Sequence, residues 1–99
     1  MAIDIEWQDE SGAPLGRCST PYEWRIGQAV PPERSHCLQY IDPVGDATFN
    51  QLQLPRLVRE LEEAIGALQR SQFREQAVSV LEFVRGCVEM HTYVKFIGD

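Results

Sequence analysis

The sequence predicts an α+β fold in which a small, mainly antiparallel sheet is covered on one face by an antiparallel two-helix hairpin. Apolar residues recur at helical spacing through residues 55–90, with one short polar interruption. Period-2 alternation precedes this stretch at the N-terminus and follows it at the C-terminus, as in strands with one buried face. The 99 residues, 43% of them hydrophobic, fit a single domain over 1–99.

An N-terminal hairpin is the first predicted element. In AIDIEWQ the apolar residues Ile3, Ile5 and Trp7 alternate with polar ones, so we expect them to face the core. DESGAP has turn-forming composition, and residues 15–20 can return as the second strand. The sequence leaves the strand order open, and the acidic first strand is a candidate for a protected edge of the sheet, where charge discourages further pairing.

The middle of the chain predicts one or two further strands. YEWRI at residues 22–26 alternates apolar and charged side chains, which favours a short third strand or an extended edge segment. CLQYI at residues 37–41 is predicted to be another strand. DPVGD then forms a turn, because Pro43 fixes φ and Gly45 permits positive φ.

Two amphipathic helices and a last strand complete the order. The first helix is predicted to begin near Pro55, with Asn50 as an alternative N-cap, and its charged residues, including Glu60, are expected at the surface. The second covers residues 72–90 and has the broader apolar stripe, so we expect it to be the more buried. Alternation over residues 93–97 predicts a C-terminal strand.

Charge gives the main functional signal. The net charge is −6, and the first twelve residues contain Asp4, Glu6, Asp9 and Glu10 but no Lys or Arg, so these acids are expected to be unpaired. Such a surface favours a partner protein with a basic surface and disfavours nucleic acid and anionic membranes. Solubility alone also accounts for net negative charge. Trp24 is a further candidate partner contact, with a core position as its alternative.

A second group of polar residues is a candidate ligand site. Asp42, Asp46 and Asn50 lie four residues apart, and His91 is added from the end of the second helix. Carboxylate and amide oxygens suit hard cations, but the spacing is not that of an EF-hand loop. Asp and Asn also bond backbone groups in turns, and a helix-end His complements the dipole. We therefore predict no metal and no cofactor, and retain these four residues as a possible small-ligand site.

Cysteine usage and segment composition bear on compartment and catalysis. Cys18, Cys37 and Cys87 are odd in number and widely spaced, which is not typical of a disulfide framework. The N-terminus lacks the regions of a signal peptide, and no apolar run reaches the roughly 18 residues of a membrane span. A cytoplasmic protein that is not an enzyme is predicted. A small hydrolase using Cys18 or Cys37 is the alternative, without a supporting motif.

The stretches QYIDPVGDATFNQLQLPRLVRELE and HTYVKFIGD resemble a family of small bacterial proteins of similar length to which no activity is assigned. The resemblance implies a cytoplasmic protein, in some cases an immunity protein encoded beside a toxin, and transfers no catalytic residues. The sequence thus predicts a small acidic protein-binding module, an immunity or inhibitor protein that neutralises a toxin or enzyme. The alternatives are a ligand- or metal-binding protein using the Asp42–Asn50 turn and a homodimeric accessory subunit.

Overall fold

The alternating and helical segments form the α+β domain that the sequence predicts, seen here in a computed structural model that describes residues 2–98. Two short 3₁₀ turns, Pro32–Arg34 and Leu38–Tyr40, interrupt the middle of the chain. The strands and helices follow the order β1 (Ala2–Gln8), β2 (Pro14–Arg17), β3 (Tyr22–Glu23), α1 (Trp24–Gly27), β4 (Asp46–Asn50), α2 (Leu54–Ala67), α3 (Arg74–Gly86) and β5 (Tyr93–Ile97).

The sheet is antiparallel, with the order β2-β1-β5-β4, and the short β3 pairs with the start of β1. Strands β1 and β5 are therefore interior, and β2 and β4 lie at the edges. The expectation that β1 lies at an edge was wrong. It failed because β1 has hydrogen-bonded partners on both sides, β2 on one and β5 on the other.

The core lies between one face of this sheet and the helices α2 and α3. Ile5, Val94 and Phe96 point into it and are almost completely buried, which confirms the alternation predicted for β1 and β5. The ring of Phe96 contacts Tyr22 and Phe49 edge to face, with centroids 5.2 and 5.8 Å apart. Such aromatic pairs add to the stabilisation from buried area. Phe96 thus joins three strands at the centre of the core.

The middle strands differ from the prediction. The third strand ends after two residues, and the chain then makes one helical turn, α1. CLQYI is not a strand, since Leu38–Tyr40 form a 3₁₀ turn whose preceding backbone N–H groups are bonded to the carboxylate of Glu60. The missing strand is instead β4, within the segment that was predicted to be a turn, where Phe49 is buried.

The helical hairpin is confirmed with altered bounds. Helix α2 begins at Leu54 with Pro55 in its first turn, as expected. Helix α3 ends at Gly86, before the predicted end at Met90, and the Gln51 amide donates to the carbonyl of Cys87 just beyond it at 2.9 Å. Helix α2 buries five residues and α3 four, and Cys87, within the predicted bounds of the second helix, is also buried just beyond α3, so the two helices are buried to a similar degree. Within residues 2–98, no helix is long and apolar enough to cross a membrane.

Gly98 packs against the turn that precedes β4. Its N–H donates to the carbonyl of Gly45 at 3.0 Å, and a Cβ at position 98 would lie 2.6 Å from Asp42 O and 2.7 Å from Gly45 N. The turn backbone would have to move. We expect Gly98→Ala to lower the free energy of unfolding by about 2 kcal/mol in urea denaturation. Gly66→Ala is the control, because nothing lies within 4 Å of its Cβ, and it should stabilise helix α2 by about 1 kcal/mol.

Candidate functional site

The face of the sheet that points away from the helices carries a patterned set of side chains. The strands β1, β5 and β4 are in register there, so residues from all three form rows across the sheet. We call this set the open face, and its three rows are Asp4–Ile97–Asp46, Glu6–Lys95–Thr48 and Gln8–Tyr93–Asn50. The first row places Asp4 and Asp46, predicted for two separate sites, on either side of Ile97.

Glu6 is not the unpaired acid that was expected. Its carboxylate accepts hydrogen bonds from Arg17 Nη2 and Gln8 Nε2, both at 2.8 Å, and its side chain is only 12% exposed. The hydrogen bond from Arg17 is the largest cause that holds the pKa of Glu6 below its ordinary value. Lys95 similarly lies 3.5 Å from the carboxylate of Asp46. Two basic side chains therefore neutralise part of the negative charge on and beside the open face.

Asp9 also has a partner, because it holds the tip of the β1–β2 hairpin. Its Oδ1 accepts from Ser11 N, Ser11 Oγ and Ala13 N at 2.9, 2.7 and 3.0 Å. The Ser11 hydroxyl is the largest cause that lowers the pKa of Asp9. Asp4 and Glu10 are exposed and make no hydrogen bond or ion pair with another residue of 2–98. Of the four acids in the first twelve residues, these two therefore have no directly bonded partner in the described part of the chain, although the charge of Asp4 is one cause that raises the pKa of Arg17.

Trp24 lies outside the open face, at the start of α1. Its side chain is 40% exposed and lines a hollow of about 230 Å³ together with Val30, Pro32 and Leu38. This exposure contradicts the core alternative, and the role of Trp24 as a partner contact stays a prediction. Trp24 is in none of the three rows of the open face, two of which contain Asp4 and Glu6, so the predicted partner-binding residues do not form one set.

The predicted ligand site is divided between the two ends of β4. Asp42 Oδ1 accepts from Val44 N at 2.9 Å in the preceding turn, and Asn50 Oδ1 accepts from the N–H groups of Leu52 and Gln53, both at 3.0 Å. Asp46 and Asn50 are the first and last residues of an extended strand. There is accordingly no single Asp42–Asn50 turn, and the correction follows from the five residues of β4 being extended.

His91 does not lie at a helix end as expected. It follows the end of α3 by five residues, in a turn with a φ of 60°, a backbone conformation that is uncommon for residues other than glycine. His91 and Asn50 line one hollow of about 290 Å³ next to Leu52 and Met90. Among residues 2–98, no cluster of three or more His, Cys, Asp or Glu side chains is arranged to hold a metal ion.

The strongest polar cluster was missed by sequence reasoning. Glu60 was assigned to the surface of the first helix, but it is only 3% exposed. It occupies the apolar stripe of α2, three residues after Leu57 and one before Leu61, which is a position that helical periodicity marks as buried. Its carboxylate accepts from four groups of one loop, Ser35 Oγ at 3.0 Å, His36 N at 2.7 Å, Cys37 N at 3.1 Å and Leu38 N at 3.0 Å.

Arg56 completes the cluster from the preceding turn of α2. Its Nε lies 3.1 Å from Glu60 Oε2, and its Nη2 donates to the carbonyl of Arg34 at 2.8 Å. Burial raises the pKa of Glu60, but the N–H groups of residues 36–38 and the guanidinium of Arg56 outweigh it and hold the pKa below its ordinary value. The ionised carboxylate therefore fastens the loop to α2, and its role is structural.

The three cysteines are free thiols. Cys37 and Cys87 are buried, and burial is the main cause that raises the pKa of each to about 11. Both are therefore protonated at neutral pH, whereas the thiolate is the nucleophilic form. The hydrolase hypothesis finds no support at Cys37. Cys18 is half-buried beside the core.

Comparison with known proteins assigns no family to the chain. No protein-family model matches it, and no curated protein or solved structure is significantly similar to it. The resemblance of the central and C-terminal stretches to small bacterial proteins of the immunity kind stays a prediction. Function has to be argued from the open face and its charges.

Proposed function

We propose that the chain is a small acidic protein-binding module, an inhibitor or immunity protein that binds a basic surface of a toxin or enzyme through the open face. The observation that carries the proposal is the distribution of charge between the two layers. Residues 54–86, which contain α2 and α3, have five Arg and five Glu, so their charges cancel. The net charge of −6 therefore belongs to the rest of the chain, with −2 on the five strands and −4 on the segments between the elements, α1 and the chain ends.

The composition of the open face supports this proposal. Tyr93 and Ile97 are half-buried on β5, and Asp4 and Asp46 flank Ile97 from the neighbouring strands. Protein interfaces commonly have an apolar or aromatic centre with a polar rim, and Tyr is enriched among the residues that contribute most binding energy. The rim acids would steer a basic partner, which affects mainly the association rate and its salt dependence.

Capture of the partner tests the proposal. The tagged full-length chain is used as bait in a lysate of cells that naturally contain it, at about 0.05 M and about 0.5 M salt, between which the screening length falls about threefold. The proposal expects a basic protein that is retained at low salt and depleted at high salt. A partner that is acidic, or one whose capture does not depend on salt, would contradict it.

A charge-neutralising pair of substitutions locates the binding surface. Asp4→Asn on the open face, with Glu10→Gln in the turn that follows β1, removes two charges that have no hydrogen bond or ion pair within residues 2–98. At low salt we expect the association rate with the captured partner, measured by surface plasmon resonance, to fall about fivefold.

The matched control is Glu75→Gln with Glu82→Gln on the exposed surface of α3, which changes the net charge by the same amount. The control pair should leave the association rate within about twofold of the parent, because only long-range charge is altered. Equal effects from the two pairs would show that total charge and not the open face governs binding.

A further inference from the structure

The two edges of the sheet are protected to different degrees. The edge strand β2 has four residues, begins with Pro14, and pairs with β1 through a register irregularity between Trp7 and Gln8. Proline and bulges are devices that prevent an edge strand from pairing with another chain. The edge strand β4 contains no proline, and its register with β5 is regular from Asp46 to Asn50.

The hydrogen-bonding direction of β4 follows from two bonds elsewhere in the sheet. Gly98 N donates to Gly45 O at 3.0 Å, and Cys18 N donates to Ile5 O at 3.0 Å. Successive residues of an antiparallel strand direct their N–H and C=O groups to opposite sides. Both bonds therefore lead to the same assignment of odd-numbered and even-numbered residues in β4. Ala47 and Phe49 bond to β5, whereas the even-numbered residues of β4 direct their N–H and C=O groups to the free edge.

The backbone groups that point to the free edge belong to Asp46, Thr48 and Asn50, and they differ in whether they already have hydrogen-bond partners. Asn50 is already engaged, because its N–H donates to Gln53 Oε1 at 2.9 Å and its carbonyl accepts from Gln53 N at 3.0 Å. Outside the sheet ladder, no residue of 2–98 bonds to the backbone groups of Asp46 or Thr48. The centre of the edge is therefore open for pairing with another strand.

We propose that this edge pairs with β4 of a second copy of the chain, antiparallel, with Thr48 of both copies at the two-fold axis. In that register Thr48 faces Thr48, and Asp46 faces Asn50 of the other copy, so no like charges are opposed. The flanking turns then bring together Val44 and Leu52, which are 69% and 91% exposed in the single chain. The strand is thus complementary to itself.

Two other registers are less favourable. Centring the axis on Asp46 would oppose two carboxylates, which is destabilising. Centring it on Ala47 would pair Asp46 with Thr48, and would leave Val44 and Leu52 without each other. The Thr48-centred register buries both exposed apolar side chains. For its outer bonds the Gln53 side chain releases Asn50 N, and Asn50 O accepts from Asp46 N of the other copy in addition to Gln53 N. The pairing would also place two open faces side by side in one continuous sheet.

Charge gives this association a salt dependence that differs from partner binding. Each copy has a net charge of −6, so the copies repel one another and screening favours the pair. Capture of a basic partner is instead weakened by salt. A failure of dimerisation through β4 can therefore be distinguished from a failure of binding to a basic partner. The self-pairing does not rest on the proposed function.

Sedimentation equilibrium of the full chain from about 10 μM to about 1 mM tests the proposal, since a short edge contact gives a weak dimer in this range. Thr48→Glu and Thr48→Lys each place like charges at the axis, and each should weaken the dimer about tenfold. Thr48 lies opposite Lys95 on the exposed face, so the Glu variant retains a favourable cross-strand neighbour in the monomer.

An equimolar mixture of the two variants should restore association, because opposite charges then face each other across the axis. A parent chain that stays monomeric over the whole range, or a Thr48→Glu variant that dimerises as the parent does, would overturn the edge pairing. A Thr48→Lys variant that dimerises more tightly than the parent would overturn the Thr48-centred register, because it would place Thr48 opposite Asp46.

Discussion

Replacing Glu60 with Gln is expected to lower the free energy of unfolding by about 3 kcal/mol in urea denaturation. The substitution keeps the shape of the side chain but places an amide N–H₂ group among the N–H donors of residues 36–38, which now bond to the carboxylate. It also leaves Arg56 without the carboxylate that lies 3.1 Å from its Nε. The loop around Ser35 would then be held by fewer bonds.

The stability of the parent chain should depend on pH in the direction that Glu60 dictates. Although burial raises the pKa of this carboxyl, its hydrogen bonds hold the net value below the ordinary 4.5. Its contribution is fully present above that ordinary value and is lost as pH falls through the folded-state pKa. Between about pH 5 and about pH 3, Glu60→Gln should therefore lose less stability on acidification than the parent.

Glu63→Gln is the matched control for Glu60→Gln. Glu63 lies one turn later in α2, and its carboxylate pairs with Arg34 at 3.2 Å in a solvent-exposed position. Exposed ion pairs contribute little, so we expect a change within about 0.5 kcal/mol. Equal losses from the two substitutions would contradict the structural role assigned to the buried carboxylate.

Replacing Phe96 with Ala is expected to lower the free energy of unfolding by about 4 kcal/mol. The ring is fully buried and makes edge-to-face contacts with Tyr22 and Phe49, so its removal leaves a cavity shared by three strands. The measurement is urea denaturation followed by far-UV circular dichroism.

Ile97→Ala separates the two faces of β5. Ile97 is the next residue along the strand, is half-buried, and lies on the open face. We expect its replacement to cost about 1 kcal/mol, because little of the surrounding structure covers it. If Ile97→Ala lowers the free energy of unfolding as much as Phe96→Ala does, the open face must be covered by other parts of the chain.

The elements that could be predicted from sequence are those in which an apolar pattern, alternating in a strand or at helical spacing, repeats several times. Strand β1 has three alternating apolar residues, and α2 and α3 have apolar stripes over several turns. The strand β4 has only Ala47 and Phe49 pointing inwards, which is too short a pattern to distinguish a strand from a turn rich in Asp and Asn.

The errors in the middle of the chain have a tertiary cause. CLQYI has the composition of a strand, but the carboxylate of Glu60 takes the N–H groups of residues 36–38 and draws the segment into a 3₁₀ turn. Glu60 itself was assigned by residue type, although its position in the apolar stripe of α2 indicated burial. The hydrogen bonds between Glu60 and residues 36–38 join a loop to a helix more than twenty residues later, so no local sequence pattern predicts them.

The candidate site was predictable in its chemistry but not in its geometry. The excess of acids near the N-terminus is evident from composition, whereas Arg17 pairs with Glu6 only through the hairpin register. The placement of Asp46 in one row with Asp4 depends on β5 lying between β1 and β4. Strand order in a small sheet is not encoded by any local pattern, so no reading of single segments could join these two acids.

Carboxylate footprinting in the presence and absence of the captured basic partner tests the central claim most directly. A water-soluble carbodiimide and an amine label exposed acids, and mass spectrometry measures the extent at each residue. Binding through the open face predicts that labelling of Asp4 and Asp46 falls in the complex, while Glu75 and Glu82 on α3 are labelled as in the free chain. Protection of the α3 acids, with Asp4 and Asp46 unchanged, would contradict the account.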